Sequence, residues 1–118
     1  RTWSPGQALS LNTGGNKTEY AYTYPRRLGR AFTMEFWGNA AGSMKPDYCF
    51  WISVAHPKED NLVQLADWVY VLGVPIFETK GAMPFSWTHY AVAVDTRNYP
   101  TVHVALYTNG SLWKSVST

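Results

Sequence analysis

A chain of 118 residues has room for one domain, and 46% hydrophobic residues exclude a disordered polymer. The net charge of +2 is too small to mark a nucleic-acid partner, and no basic stripe interleaves with the aromatics. The longest charge-free apolar run, 68–77, is too short to span a membrane and is broken by Gly73 and Pro75.

The chain starts at Arg1, without a start methionine or a secretory apolar segment. That predicts a mature product or a segment of something longer. Residues 1–7 read as irregular and 8–11 as a short strand. A glycine-rich turn follows over 12–17. Residues 19–24 alternate, with Tyr20, Tyr22 and Tyr24 on one face, until Pro25 ends the run. Arg26, Arg27 and Arg30 fall in a basic loop. Residues 31–37 form a strong strand pattern, with Phe32, Met34 and Phe36 inward and Thr33 and Glu35 outward. After a loop over 38–47, residues 48–54 are apolar on both faces and read as a central strand. Cys49, the single cysteine, lies inside that run and reads as a buried thiol.

Residues 55–60 read as an exposed loop, and 61–66 and 68–72 as strands. Gly73-Val74-Pro75 separates them from a strand over 76–79. The clearest stretch begins at Trp87. Tyr90, Val92 and Val94 point one way, while His89, Ala91, Ala93 and Asp95 point the other. The small alanines suggest that this second face is also covered or lies close to another segment. A turn over 97–100 leads to Val102, Val104 and Leu106 on one face and His103, Ala105 and Tyr107 on the other. Asn109-Gly110 then predicts a type I′ hairpin, because both central residues need positive φ. Residues 87–115 thus read as a three-stranded antiparallel meander. About nine or ten short strands without helical periodicity predict an all-β sandwich or barrel across 1–118.

The run Ala31-Phe32-Thr33-Met34-Glu35-Phe36-Trp37 resembles a strand of the laminin G-like, concanavalin A-like and pentraxin-type jelly rolls. Three further stretches resemble that family in the same order. They are Ala8 to Leu11 with Gly14-Gly15-Asn16, then Trp87 to Asp95, then Val104 to Gly110. The resemblance covers about Ala8 to Lys114. It implies an antiparallel β-sandwich of jelly-roll type, missing its closing strands, since family domains continue past the last hairpin. A sandwich lacking those strands exposes edges and apolar surface, so the segment is not expected to be a stable monomer alone.

The resemblance implies calcium at the sandwich rim, with Asp95 as the weak candidate; its alternative role is to cap a turn. No other cofactor is expected. His56, His89 and His103 lack zinc spacing, although His89 and His103 share a face on adjacent strands and could meet. A glycoside hydrolase on this fold carries an E-x-D-x-x-E strand, which is absent, and Ser4, Ser53 and Ser86 lack nucleophile-elbow glycines. No enzyme is expected. The aromatic count of six Trp, eight Tyr and five Phe allows sugar stacking as well as core packing. The candidate ligand-binding residues are Tyr20, Tyr22, Tyr24, Arg26, Arg27, Trp51 and Trp68. Their alternative is core, interface or solvated loop. Asn16 and Asn109 head glycosylation sequons in predicted turns.

Taken together, the resemblance implies a non-catalytic extracellular interaction or structural module of a larger surface, matrix or filament glycoprotein. Its expected partners are other domains of the parent chain, neighbouring protein chains, or glycans, without membrane insertion. The alternative is a carbohydrate-binding lectin module. A hydrolase fragment whose acids lie elsewhere comes last.

Overall fold

The structure, a computed structural model, describes residues 28–39, 52–55, 61–82, 84 and 86–118, with 52–55, 61 and 62 as backbone only. In chain order the strands are β1 (Ala31–Gly38), β2 (Ile52–Ala55), β3 (Asn61–Leu65), β4 (Trp68–Val71), β5 (Val74–Glu78), β6 (Thr88–Asp95), β7 (His103–Thr108) and β8 (Ser111–Ser117). Among the described residues they form two four-stranded antiparallel sheets: sheet A in the order β1-β6-β7-β8, and sheet B in the order β2-β3-β4-β5. No helix occurs among the described residues.

Alternation sets the register of sheet A. β1 pairs with β6 from Ala31 opposite Asp95 to Gly38 opposite Thr88, without interruption. Phe32, Met34 and Phe36 therefore share an inner face with Val94, Val92 and Tyr90. A slip of one residue would turn every one of them to the other side, so burial fixes the pairing. Phe36 and Tyr90 stack with ring centroids 5.3 Å apart. On sheet B, Val63, Leu65, Val69, Val71 and Phe77 point inward. They join Tyr90, Val92, Val94, Val104 and Leu106 of sheet A in a single buried cluster. The protein is thus all-β and sandwich-like, with the core between two sheets.

The meander over β6, β7 and β8 forms as the sequence predicts. Asn109 and Gly110 take φ of 50° and 81°, and Thr108 faces Ser111 across them. This is the two-residue turn whose twist suits a hairpin. The start of β1 is tied to the end of β6, where the Thr96 N–H and Oγ1 both donate to the Arg30 carbonyl at 2.8 Å. The Tyr99–Pro100 peptide bond beyond it is cis.

Two expectations need correction. β2 was expected to be central; among the described residues it is the outermost strand of sheet B. Apolar residues on both sides of a strand report two covered faces, not a position in the ladder. The expected break over 73–75 is also displaced, because β5 begins at Val74 and contains Pro75. Among the described residues β5 is an outer strand of sheet B, where a missing N–H need not disrupt the ladder. The turn lies one residue earlier: Leu72 and Gly73 have φ of 51° and 76°, a second two-residue hairpin. A leucine in the left-handed region is strained, and no turn-residue rule would select it.

One irregularity in β8 controls what that strand presents. Tyr107 faces Leu112, but Leu106 faces Lys114, so Trp113 is an extra residue in a β-bulge. The Trp113 ring centroid is 6.4 Å from that of Phe77, and Lys114 Nζ sits 5.7 Å from the same Phe77 centroid. Lys114 thus occupies an inner-face position on a strand that is outermost among the described residues. A bulge and an inward lysine are both features that discourage edge-to-edge pairing.

Candidate functional site

The outer face of sheet A follows directly from this register. The alternation that sends Phe32, Val94, Val104 and Val116 inward sends Ala31, Asp95, His103 and Ser117 outward as one row across four strands. The next row is Thr33, Ala93, Ala105 and Ser115, followed by Glu35, Ala91, Tyr107 and Leu112. At the far end Trp37 faces His89, and the turn residue Asn109 bonds to the His89 backbone. Ala93 and Ala105 line an open groove of about 530 Å³ that runs to Asp95, His103 and Ser117 and also touches Phe32, Val94, Val104 and Val116 of the row between.

The first end of the face is polar. Asp95 Oδ1 accepts from the Arg97 backbone N–H at 2.9 Å, the local bond that turns the chain after β6. The Arg97 guanidinium then reaches both carboxylate oxygens, with Nε 3.0 Å from Oδ1 and Nη2 2.7 Å from Oδ2. These side-chain bonds, with the backbone bond next, hold the Asp95 carboxyl down from 3.8 to about 2. The sign follows: the folded pKa lies below the unfolded one. The pair's stabilisation is therefore complete above about pH 4 and is lost as pH falls through about 2. NMR titration of the Asp95 carboxyl is expected to give a midpoint near 2 and, in Arg97→Ala, a midpoint raised toward 3.8 but still held below it by the backbone bond that alanine keeps. An unchanged midpoint in the variant would contradict the pairing. Beside this pair, His103 Nδ1 and Ser117 Oγ share a hydrogen bond of 2.5 Å across the β7–β8 ladder.

Both Asp95 oxygens serve the Arg97 guanidinium, whereas a calcium ion needs several oxygens at one point. Among the described residues, no three His, Cys, Asp or Glu side chains gather as a metal site.

The other end is aromatic. Trp37 is 64% exposed although it belongs to a regular strand. Its ring centroid lies 5.3 Å from the His89 imidazole in an edge-on arrangement. His89 Nε2 is 3.9 Å from Glu35 Oε2, an ion pair when the imidazole is protonated. Trp87, two residues before His89, is 55% exposed. Asn109 Oδ1 accepts from the His89 N–H at 2.9 Å, and the Asn109 N–H donates to the His89 carbonyl at 2.8 Å. The turn is thereby clipped to β6.

The two histidines do not meet. His103 faces Asp95, six residues along β6 from His89, or about 20 Å at the usual strand rise. Of the residues expected to bind ligand, Tyr20, Tyr22, Tyr24, Arg26, Arg27 and Trp51 lie outside the described residues, as do Asn16, Cys49 and His56. Trp68 is half-buried on β4 of sheet B, alternating with the inward Val69 and Val71. The structure does not bring it to the outer face of sheet A. Trp37 was missed, although its parity with Thr33 and Glu35 already points it outward. No known protein family, curated protein or solved structure matches the chain.

Proposed function

We propose that this protein is a non-catalytic interaction module of an extracellular glycoprotein, a β-sandwich of laminin G-like jelly-roll type that engages its partner through the outer face of sheet A. The observation that carries this reading is the groove itself. One face of a regular sheet packs on the core, while Ala93 and Ala105 lie in an open groove beside the hydroxyl residues Thr33, Ser115 and Ser117 and the imidazole of His103. A floor of small residues admits a partner's strand, loop or sugar to the backbone; a merely solvated face has no need of it. The partners are domains of the same parent chain or neighbouring protein chains. The lectin reading comes second and is favoured by the hydroxyls of Thr33, Ser115 and Ser117 along the groove.

The acids on this face also favour a binding role. Glu35 and Asp95 are set four residues apart along the β1–β6 ladder, or about 13 Å. Glycoside hydrolases place their two carboxyl groups about 5 to 9.5 Å apart. The test is saturable binding of the secreted protein to cell surfaces or extracellular matrix. Ala105→Trp, which fills the groove floor, is expected to weaken that binding at least about tenfold, a loss of about 1.4 kcal/mol. Protease and periodate treatment of the matrix separate protein from glycan partners. Absence of saturable binding, or an Ala105→Trp variant that folds and binds normally, rejects the proposal.

A further inference from the structure

The aromatic end of the face is a second site, distinct from the groove. Trp37, His89 and Asn109 lie in one row across β1, β6 and the β7–β8 turn. Asn109-Gly110-Ser111 is an N-glycosylation acceptor. Asn109 is exposed, and its Oδ1 is fixed on the His89 N–H. Its Nδ2, the atom that carries a glycan, takes no part in that bond. Adjacent strands lie about 4.8 Å apart, so Trp37 is about 10 Å from Asn109, within reach of the first sugar units. We infer that an N-linked glycan on Asn109 folds back over His89 and covers the exposed Trp37 ring in the same molecule.

The chemistry on both sides matches. A pyranose presents a C–H face that packs on an indole, and Trp37 offers a large apolar ring to solvent. Its hydroxyl and acetamido groups are hydrogen-bonding groups, and Glu35 and His89 stand beside the ring to receive them. The glycan arrives by a balanced transfer. The Asn109 Nδ2–C bond forms at the anomeric carbon of a lipid-pyrophosphate-linked oligosaccharide, the lipid pyrophosphate leaves, and Nδ2 gives up one proton. Because that donor belongs to a secretory pathway, this occupant rests on the extracellular role proposed for the protein. It also assigns the two ends of sheet A different tasks: a covered aromatic end and an open groove.

The experiment compares protein secreted from eukaryotic cells with two variants. Ser111→Ala removes the acceptor but keeps Asn109 and its bond to His89. Ser111→Thr keeps the acceptor. Glycopeptide mass spectrometry reads occupancy at Asn109, and peptide mapping after limited N-bromosuccinimide oxidation reads the exposure of Trp37. The glycosylated protein and Ser111→Thr are expected to be oxidised at Trp37 roughly threefold more slowly than Ser111→Ala, as for a ring with one face covered. Trp113, which packs on Phe77, is expected to react alike in all three. An occupied Asn109 with equal Trp37 oxidation in all three overturns the inference and leaves the interaction-module reading standing. A secreted protein with an empty Asn109 overturns it as well, and counts against the glycoprotein reading itself.

Discussion

Leu106→Ala is expected to destabilise the protein by about 2–5 kcal/mol. Leu106 sits in the middle of β7 with no exposed surface, flanked by Val92 on β6 and Lys114 on β8, inside the cluster that joins both sheets. Truncation removes buried methyl groups and leaves a cavity between two hydrogen-bonded ladders. Those ladders cannot collapse inward without breaking their registers, so the cavity term stays near its full size. Domains are typically stable by only about 5–15 kcal/mol, so the loss is a large fraction of the total. The measurement is equilibrium denaturation, with the midpoint falling and the slope unchanged. Leu112→Ala is the matched control, because Leu112 is 55% exposed on the outer face of the neighbouring strand. Its cost is expected to stay within about 0.5 kcal/mol. Equal costs at the two positions would mean that the inside and outside of sheet A are assigned wrongly.

The second large effect involves a hydrogen bond. Thr79 is fully buried just after β5, and its Oγ1 donates to the Ala66 carbonyl at 2.6 Å. Its N–H donates to the Asp67 carbonyl, and its own carbonyl accepts from the Ala82 N–H, both at 2.9 Å. One residue thus fastens the β3–β4 turn to the segment leaving β5. Thr79→Val retains the shape and the backbone bonds but deprives the buried Ala66 carbonyl of its hydroxyl donor. The expected cost is about 1–3 kcal/mol, the penalty of a buried acceptor left unmade. Thr79→Ser, which retains the hydroxyl, is expected to recover most of it. A valine variant as stable as the parent in urea would show that the hydroxyl bond contributes nothing.

Much of this architecture is legible in the residues, for a physical reason. Phe32, Met34 and Phe36, and then Tyr90, Val92 and Val94, repeat at period two because each strand has one face in the core. Asn109-Gly110 announces its turn because few other pairs accept two positive φ values. Pairing is less legible. Nothing in residues 31–38 or 88–95 states that they are neighbours, since alternation encodes a side and not a partner. Leu72 hid a hairpin because leucine is an improbable left-handed residue, held here by the strands on either side. At the site, hydrophobicity and parity disagree at Trp37. An aromatic residue ending an apolar strand reads as core, while its odd position makes it a surface ring. His89 and His103 show the complementary limit: sharing a face says nothing about distance along it.

Trp113 has an effect beyond its own contacts. Counting back from the Asn109-Gly110 turn without an extra residue would set His103 opposite Val116 and Val104 opposite Ser115. With Trp113 unpaired, His103 meets Ser117 and Val104 meets Val116. The hydroxyls of Ser115 and Ser117 reach the groove, and the valine reaches the core, because a tryptophan packed near Phe77 takes no partner in the ladder. The composition of this outer face is therefore set partly by arithmetic. An odd number added within that half-strand exchanges lining for filling, although no residue of the groove itself has changed.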